Sequence, residues 1–229
     1  MDSGLNTSVG GLTTSERRIE AITQNLANLG TTGFKRFLPV TNTTGRGSQA
    51  TAQTNLVTDW SQGELRRTGN PLDLALDGQG FFELQTPKGP VYTRAGTFRL
   101  DEQGVLQNED GFAVSWDGGS GALQAVGAPI VVDPRGVVRQ GDAEVGRVKV
   151  VDFDDKSSLV RIGSAAWAAP RGLQTKPADP TVHQGALEQA NTNSMDELVS
   201  MVVAQRHFEN STTVMRTIDQ TYKRLNQPK

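Results

Sequence analysis

The sequence predicts a segregated α and β fold: long N- and C-terminal amphipathic helices with a coiled-coil-like pattern flank a central all-β domain rich in hairpins. Three observations predict it: an apolar stripe at helical spacing near each end, a polar stretch beside each stripe, and short apolar runs between them. The predicted segments are a helix over 1–36, a linker over 37–64, a β domain over 65–170, a linker over 171–190 and a helix over 191–229.

The N-terminal helix is predicted from a heptad pattern. Its apolar residues recur every seventh position, with further apolar residues three or four positions away: Leu5, Val9, Leu12, Ile19, Ile22, Leu26 and Leu29. Side chains at this spacing share one face of a helix, and polar residues fill the opposite face. Gly30 and Gly33 follow the stripe, as glycines do at the C-terminus of a helix.

The central segment is predicted to be β structure. Residues 41–49 contain no apolar side chain, which is typical of an extended linker. After residue 65, runs such as Phe81-Phe82-Glu83-Leu84 alternate with turn sequences such as Asp133-Pro134-Arg135-Gly136. Short strands separated by type I turns predict a domain of hairpins.

The C-terminal helix follows a segment that contains Pro177 and Pro180. Ser194 and Glu197 have the spacing of a capping box, in which the Ser194 hydroxyl would bond the Glu197 N–H. The apolar residues after them recur at spacings of three and four: Leu198, Met201, Val202, Phe208, Met215, Ile218, Tyr222 and Leu225. About 30 residues at 1.5 Å each give a helix of about 45 Å.

Both terminal stripes lack a partner in this scheme, because the polar linkers separate them from the β domain. A single amphipathic helix is marginally stable in water. We therefore expect the fifteen stripe residues named above to contact other subunits in an assembly. Packing of both helices on the β domain is the alternative.

Neither the composition nor the motifs indicate catalysis or the binding of a metal or cofactor. The chain has 229 residues, 23 Lys and Arg against 25 Asp and Glu, no cysteine and two histidines, and the longest apolar runs fall far short of the roughly 20 residues of a membrane span. We expect no catalytic residue, cofactor, metal site, nucleic-acid partner or membrane insertion. Asp73 and Asp77 are candidates for a carboxylate pair, and His183 and His207 for bases or ligands, but the sequence identifies no cleft for the pair and no second His or Cys ligand for the histidines. No secretory signal peptide is expected either.

Several motifs occur in a specific order along the chain. They lie at residues 27–36, where Ala-Asn is followed by Thr-Gly-Phe-Lys-Arg, and at residues 68–76, 92–98, 184–188 and 197–206. In this order the motifs resemble those of the bacterial flagellar basal-body rod and hook family. The short segment between Arg36 and Gly69 favours the proximal-rod type, with a distal-rod or hook-type subunit as the alternative.

The resemblance implies a structural subunit that is not an enzyme. Such a subunit polymerises through its terminal helices into an axial tube that transmits torque and encloses the export channel. The implied partners are other rod subunits, both copies and paralogues, and the flagellar type III export apparatus. The implied location is the rod, which crosses the periplasm or cell wall, after export without a cleaved signal peptide. An alternative of a different class is a stand-alone β-domain binding module or hydrolase with helical arms.

Overall fold

The computed structural model describes residues 2–44, 51–119, 121–124 and 127–225. The chain forms two compact units, and each is assembled from separate parts of the sequence. Unit 1 combines both ends of the chain with a piece of the predicted first linker: 1–27, 36–59 and 192–229. Unit 2 contains the remainder: 28–35 and 60–191.

Unit 1 consists of two helices and a two-stranded ribbon: α1 (Asp2–Ala27), β1 (Phe37–Thr44), β2 (Thr51–Thr58) and α2 (Ser194–Leu225). The strands of the ribbon are antiparallel, and α1 packs against both α2 and the ribbon. Asn25 bonds Glu197, and a Cβ added to Gly11 would lie 3.4 Å from the Ser211 hydroxyl. Gly11, in the first half of α1, is close to Ser211 in the second half of α2, whereas Asn25 near the end of α1 contacts Glu197 near the start of α2. The two helices are therefore antiparallel.

The inner face of α2 follows a repeat of four and three residues. The residues in this repeat, each buried or half-buried, are Glu197, Met201, Ala204, Phe208, Ser211, Met215 and Ile218. The corresponding buried side chains of α1 include Ala21 and Ile22, and also the polar Ser15 and Asn25. The helix pair is therefore packed through small, apolar and polar residues together.

Unit 2 is built from seventeen strands and one 3-10 turn (Lys156–Ser158) in the described part of the chain. The strands are β3 (Leu65–Arg67), β4 (Leu74–Asp77), β5 (Phe81–Thr86), β6 (Gly89–Thr93), β7 (Arg99–Leu100), β8 (Leu106–Gln107), β9 (Ala113–Val114), β10 (Trp116–Gly119), β11 (Ile130–Val132), β12 (Val137–Gln140), β13 (Ala143–Val148), β14 (Val150–Asp152), β15 (Val160–Arg161), β16 (Ala166–Ala168), β17 (Lys176–Pro177), β18 (Thr181–Gln184) and β19 (Ala186–Glu188). All pairings are antiparallel.

The largest sheet has the order β15-β16-β6-β5-β9-β8-β7, and β14 pairs with β5 and β17. A second sheet has the order β10-β13-β12-β11, and two further pairs are β18-β4 and β19-β3. Phe81 and Phe82 are adjacent on β5 and so point to opposite faces of the sheet. Phe82 belongs to one apolar cluster with Leu74 and Leu84, and Phe81 belongs to a second with Trp167. The central sheet is therefore buried on both faces.

The predicted fold class is wrong, although the β-rich centre is present. In the described residues, two helices accompany the β structure, but they do not form coiled-coil-like arms that flank one β domain. Instead α1 packs on the ribbon as well as on α2, and polar residues such as Ser15 and Asn25 occupy its buried face. A coiled-coil seam would need apolar residues at those positions.

The two predicted linkers also contain strands. Residues 37–64 hold β1 and β2, and residues 171–190 hold β17, β18 and β19, which pair with strands of unit 2. The polar composition of 37–64 was interpreted as a linker, but its threonines are β-branched and suit a strand with one face in water. Neither described helix is long and apolar enough to cross a membrane.

Candidate assembly surface

Asn25 joins three elements of unit 1 through its side-chain amide. Its Oδ1 accepts from the Phe37 backbone N–H at 2.8 Å, and its Nδ2 donates to the Phe37 carbonyl and to Glu197 Oε1, each at 3.0 Å. The side chain is only 2% exposed. A buried amide with all its partners in place fixes the register between α1, β1 and α2. The only sequence signal for this role was an Asn between the stripe residues Ile22 and Leu26.

The first turn of α2 differs from the predicted capping box. Asn193 provides the cap, because its Oδ1 accepts from the Met195 backbone N–H at 2.9 Å. The Glu197 backbone N–H donates to the Asn193 carbonyl rather than to Ser194. The Glu197 carboxylate accepts from Asn25 and from the Thr192 hydroxyl. Glu197 thus links the two helices instead of closing a box.

Most of the predicted assembly residues already pack within one chain. Ile22 is buried, and eight further stripe residues are half-buried: Leu12, Ile19, Leu26, Leu29, Met201, Phe208, Met215 and Ile218. Leu29 belongs to unit 2. The side chains of Leu5, Val9, Tyr222 and Leu225 lie outside the described residues. Leu198 and Val202 differ from the others, because each is 50% exposed.

The first turns of α2 carry a second apolar face, which we call the outer patch: Met195, Leu198, Val199, Val202 and Val203. Their exposed fractions range from 47% to 71%. At 3.6 residues per turn, the outer patch lies on the side of α2 opposite to Glu197, Met201 and Ala204. The predicted stripe placed Leu198 and Val202 on the same face as Met201. The structure therefore separates one predicted face into two.

A groove of about 330 Å³ lies beside the outer patch, within unit 1. Val199 and Val203 form one wall, and Phe37, Leu38 and Pro39 of β1 form the other. Its base includes Ile22, Asn25 and Ala204, and the Arg18 and Arg36 side chains border it. On the outer face of the ribbon, Leu38 lies directly across from Val57, and both are exposed. These apolar surfaces are available to a partner.

Unit 2 contains a buried ionic cluster, formed by Lys35, Arg94 and Glu188. Lys35 Nζ lies 2.6 Å from Glu188 Oε1, and Arg94 Nη1 lies 3.2 Å from Glu188 Oε2. The Lys35 and Arg94 side chains are at most 4% exposed, and that of Glu188 is fully buried. Burial lowers the pKa of Arg94 below its ordinary value, while the neighbouring Glu188 carboxylate raises it. The cluster connects residues 28–35, the residue directly after β6, and β19.

Backbone groups complete the cluster. Lys35 Nζ donates to the Ser61 carbonyl at 2.7 Å, and Arg94 Nη2 donates to the Gly78 carbonyl at 2.6 Å. The Gly63 N–H donates to Glu188 Oε1 at 2.9 Å. This cluster could not be predicted from the sequence, since Lys35 is one of several basic residues and Glu188 is one carboxylate beside two apolar residues. The Thr-Gly-Phe-Lys-Arg motif was the available signal.

The packing of the Thr-Gly-Phe-Lys-Arg motif explains why it contains these residues. Gly33 has a φ of 67°, and a Cβ there would lie 2.3 Å from the Ala95 backbone nitrogen, so only glycine fits. Phe34 is buried, and the Arg161 guanidinium lies 5.0 Å from its ring centroid and 5.0 Å from that of Trp167. Burial lowers the pKa of Arg161 to about 10. The motif therefore anchors residues 28–35 inside unit 2.

The residues considered for chemistry serve structural roles or lie on the surface. Asp73 is buried and accepts from the Thr68 hydroxyl at 2.6 Å and from Asn70 Nδ2 at 2.9 Å. The exposed Asp77 lies 3.6 Å from His183, beside an open cavity of about 670 Å³ in unit 2. His207 is exposed on α2 and lies far in sequence from Asp77 and His183. Within the ranges that the structure describes, no three acidic or histidine side chains cluster as metal ligands would.

Three family models match the chain, and their descriptions agree. "Flagella basal body rod protein" matches residues 5–35, "Flagellar hook protein FlgE/F/G D1 domain" matches residues 75–146, and "Flagellar basal body rod FlgEFG protein C-terminal" matches residues 183–227. These segments cover α1 with the start of the Gly33 motif, the centre of unit 2, and α2. The matched order is that of the motifs in the sequence.

Similar full-length proteins have the same description. The chain is 34% identical to the flagellar basal-body rod protein FlgF of Mesorhizobium japonicum, over 88% of this chain and 87% of the relative. It is 30% identical to FlgF of Caulobacter vibrioides, over 94% and 93%, and 29% identical to the rod protein FlgG of Bacillus subtilis, over 96% and 97%. Since these relatives align along nearly the whole chain, the chain belongs to the bacterial flagellar basal-body rod protein family and is a structural subunit of the rod, not an enzyme.

Proposed function

We propose that unit 1 builds this chain into the rod by burying its outer patch and groove against neighbouring subunits. Copies and paralogous rod subunits then form an axial tube that transmits torque and encloses the export channel. The chain reaches this site through the flagellar type III export apparatus, without a cleaved signal peptide, and the tube crosses the periplasm or cell wall. The identities to FlgF relatives, 34% and 30%, support the proximal-rod type.

One observation carries the proposal: α2 is apolar on two opposite faces over its first turns. One face packs within unit 1, and the other exposes five large apolar side chains. A helix that is apolar all round is typical of the interior of a bundle. A contiguous exposed apolar patch marks an interaction site. In the assembled rod, neighbouring subunits bury the second face.

The proposed contact residues are those stripe residues that one chain leaves exposed, above all Leu198 and Val202. The half-buried residues, such as Leu12 and Met215, hold unit 1 together and take part in assembly only through the side they leave open. A carboxylate at Leu12 or Met215 would therefore disturb unit 1 itself, and it would not isolate the effect on assembly. A carboxylate at Val202 avoids this difficulty, because that side chain is already 50% exposed.

The test is Val202→Asp in cells that lack the wild-type protein. We expect loss of swimming and of incorporation into purified basal bodies, because the carboxylate would have to be buried without a partner at each subunit contact. Secretion of the variant should persist, and the helical circular dichroism of the purified protein should match the wild type. Thr213→Asp is the matched control, since Thr213 is exposed further along the same helix. Normal incorporation of the Val202 variant would contradict the proposal.

A further inference from the structure

We propose that residues 28–35 and 181–191 open and close as one cooperative clasp on unit 2, while the central sheet around β5 and β6 stays folded. We call residues 28–35 the insert and residues 181–191 the strap. The insert directly follows α1, and the strap ends shortly before α2 begins at Ser194. Both segments belong to unit 2, so the inference concerns unit 2 alone and is independent of the proposed assembly surface.

The insert and the strap hold each other through backbone and side-chain bonds. The Gly33 N–H donates to the Glu188 carbonyl at 2.7 Å, and the Asn191 N–H donates to the Phe34 carbonyl at 3.3 Å. Lys35 Nζ donates to Glu188 Oε1 at 2.6 Å, and both side chains are at most 1% exposed. The two segments therefore complete one another's hydrogen bonds.

The buried charges favour joint release of the two segments. If the strap left alone, Lys35 would stay buried without its carboxylate partner, which is costly. If the insert left alone, the Glu188 carboxylate would lose Lys35 while it remained buried. When both segments leave, water reaches both groups, and Arg94 keeps its hydrogen bond to the Gly78 carbonyl. Opening of the whole clasp thus avoids a penalty that opening of either part would incur.

The strap is attached to the rest of unit 2 by contacts that are distant in sequence. Gln184 Nε2 donates to the Pro71 carbonyl at 2.8 Å and to the Ile130 carbonyl at 2.9 Å. Gln184 Oε1 accepts from the Val132 N–H at 3.1 Å. These bonds join positions at least 52 residues apart. Closure of long loops has an entropic cost that increases with their length, and this cost opposes docking of the strap.

The central sheet is held by local pairing instead. β5 and β6 are separated by two residues and pair along their length, with Leu84 opposite Val91. Among the described residues of the two apolar clusters, one belongs to the strap (Val182) and none to the insert. Opening of the clasp therefore leaves nearly all of this core intact. Segments of one protein that differ in this way open at different free energies.

Native-state hydrogen exchange of the full-length protein, followed by NMR, measures these openings. Amides that exchange through the same opening share one free energy of opening. We expect one shared value for Phe34, whose N–H bonds within the insert, and for Gly185 and Gln189, whose N–H groups bond residues outside the insert. The amides that pair β5 with β6 should be protected about tenfold more strongly or better.

Two variants test the coupling between the segments. Gln184→Ala removes bonds of the strap that do not involve the insert. Arg161→Met removes contacts of the insert that do not involve the strap, since Arg161 Nη2 donates to the Lys35 carbonyl and the guanidinium lies over the Phe34 ring. We expect each variant to speed exchange at Phe34 and at Gly185 by the same factor, about tenfold, because coupling is reciprocal.

Gln140→Ala is the matched control. The Gln140 side chain makes equivalent amide bonds, with the backbone of Gln124 and with the Ala128 carbonyl, away from the clasp. This variant should leave exchange at Phe34 and Gly185 unchanged, because those bonds stay formed when the clasp opens.

Two results would overturn the inference. If Gln184→Ala speeds exchange at Gly185 and leaves Phe34 unchanged, the two segments open independently. If Phe34 and Gly185 in the wild type are as strongly protected as the amides between β5 and β6, unit 2 opens only as a whole. The second comparison needs no variant, so it decides the question without relying on the folding of a substituted chain.

Discussion

Replacement of Glu188 by Gln should destabilise unit 2 far more than replacement of Lys35 by Met. Glu188 forms salt bridges with both buried cations, Lys35 at 2.6 Å and Arg94 at 3.2 Å. Glu188→Gln leaves Lys35 and Arg94 buried without their shared salt-bridge partner. Lys35→Met leaves Arg94 and Glu188 as a balanced pair. The asymmetry is a consequence of two cations sharing one anion.

The magnitudes follow from the burial of the three groups. Loss of one partner from a buried ion pair destabilises a protein by about 3–5 kcal/mol, because an uncompensated charge remains. Loss of Lys35 removes its hydrogen bonds to Glu188 and to the Ser61 carbonyl but leaves no unpaired ion, so we expect about 1–3 kcal/mol. Glu188→Gln should therefore lower the free energy of unfolding by about 2 kcal/mol more than Lys35→Met.

The three tryptophans make the assay specific for unit 2. Trp60, Trp116 and Trp167 all lie in unit 2, whereas both helices lie in unit 1. Urea denaturation followed by tryptophan fluorescence therefore reports unit 2, and helical circular dichroism reports unit 1. A pair of exposed charges such as Arg139 and Glu144 provides a control, since Arg139→Met should change the unfolding free energy by less than about 1 kcal/mol. If Lys35→Met is as costly as Glu188→Gln, the reasoning about charge balance is wrong.

Three further predictions concern the two units. Asn25→Ala should destabilise unit 1 by about 1–3 kcal/mol, measured by thermal loss of helical circular dichroism, because it leaves the half-buried Phe37 N–H without its Asn25 acceptor; an unchanged melting temperature would refute this. Gly33→Ala should destabilise unit 2 by about 2–5 kcal/mol in the fluorescence assay, since the new Cβ overlaps the Ala95 backbone; Gly30→Ala, which meets open space, is the control. Limited proteolysis should leave a fragment that ends near Asn191, and one that ends near residue 170 would show that β17 to β19 are not part of the stable unit.

The sequence allowed the secondary structure to be predicted better than its arrangement. The turn sequences between residues 65 and 170 located most strands, because turns such as Asp77-Gly78 and Pro134-Arg135-Gly136 are determined by local sequence. The ribbon was missed, since β1 and β2 owe their pairing to contacts with α1 and not to apolar alternation. Strand pairing between β18 and β4 joins residues more than 100 positions apart, and such register has no local signature.

Part of the burial pattern of α2 could be predicted from the sequence, and the rest required the structure. The heptad spacing identified Met201, Phe208 and Met215 as members of one face, and the burial pattern places all three on the inner face of α2. Leu198 and Val202 were assigned to that face because apolar residues on both sides of a helix cannot be separated by hydropathy alone. The buried Asn25 and the ionic cluster depend on partners distant in sequence, and only tertiary contact reveals them.

The central claim is that the outer patch of α2, exposed in the free chain, becomes buried in the rod. The chain contains no cysteine, so Val202→Cys introduces a single reactive thiol at a position that is 50% exposed. The most direct measurement is the rate at which a maleimide reagent labels this thiol in the free protein, in purified rods and in rods that have been dissociated. We predict rapid labelling of the free protein, strong protection in rods and full recovery after dissociation. Equal labelling rates in the free protein and in intact rods would contradict the account.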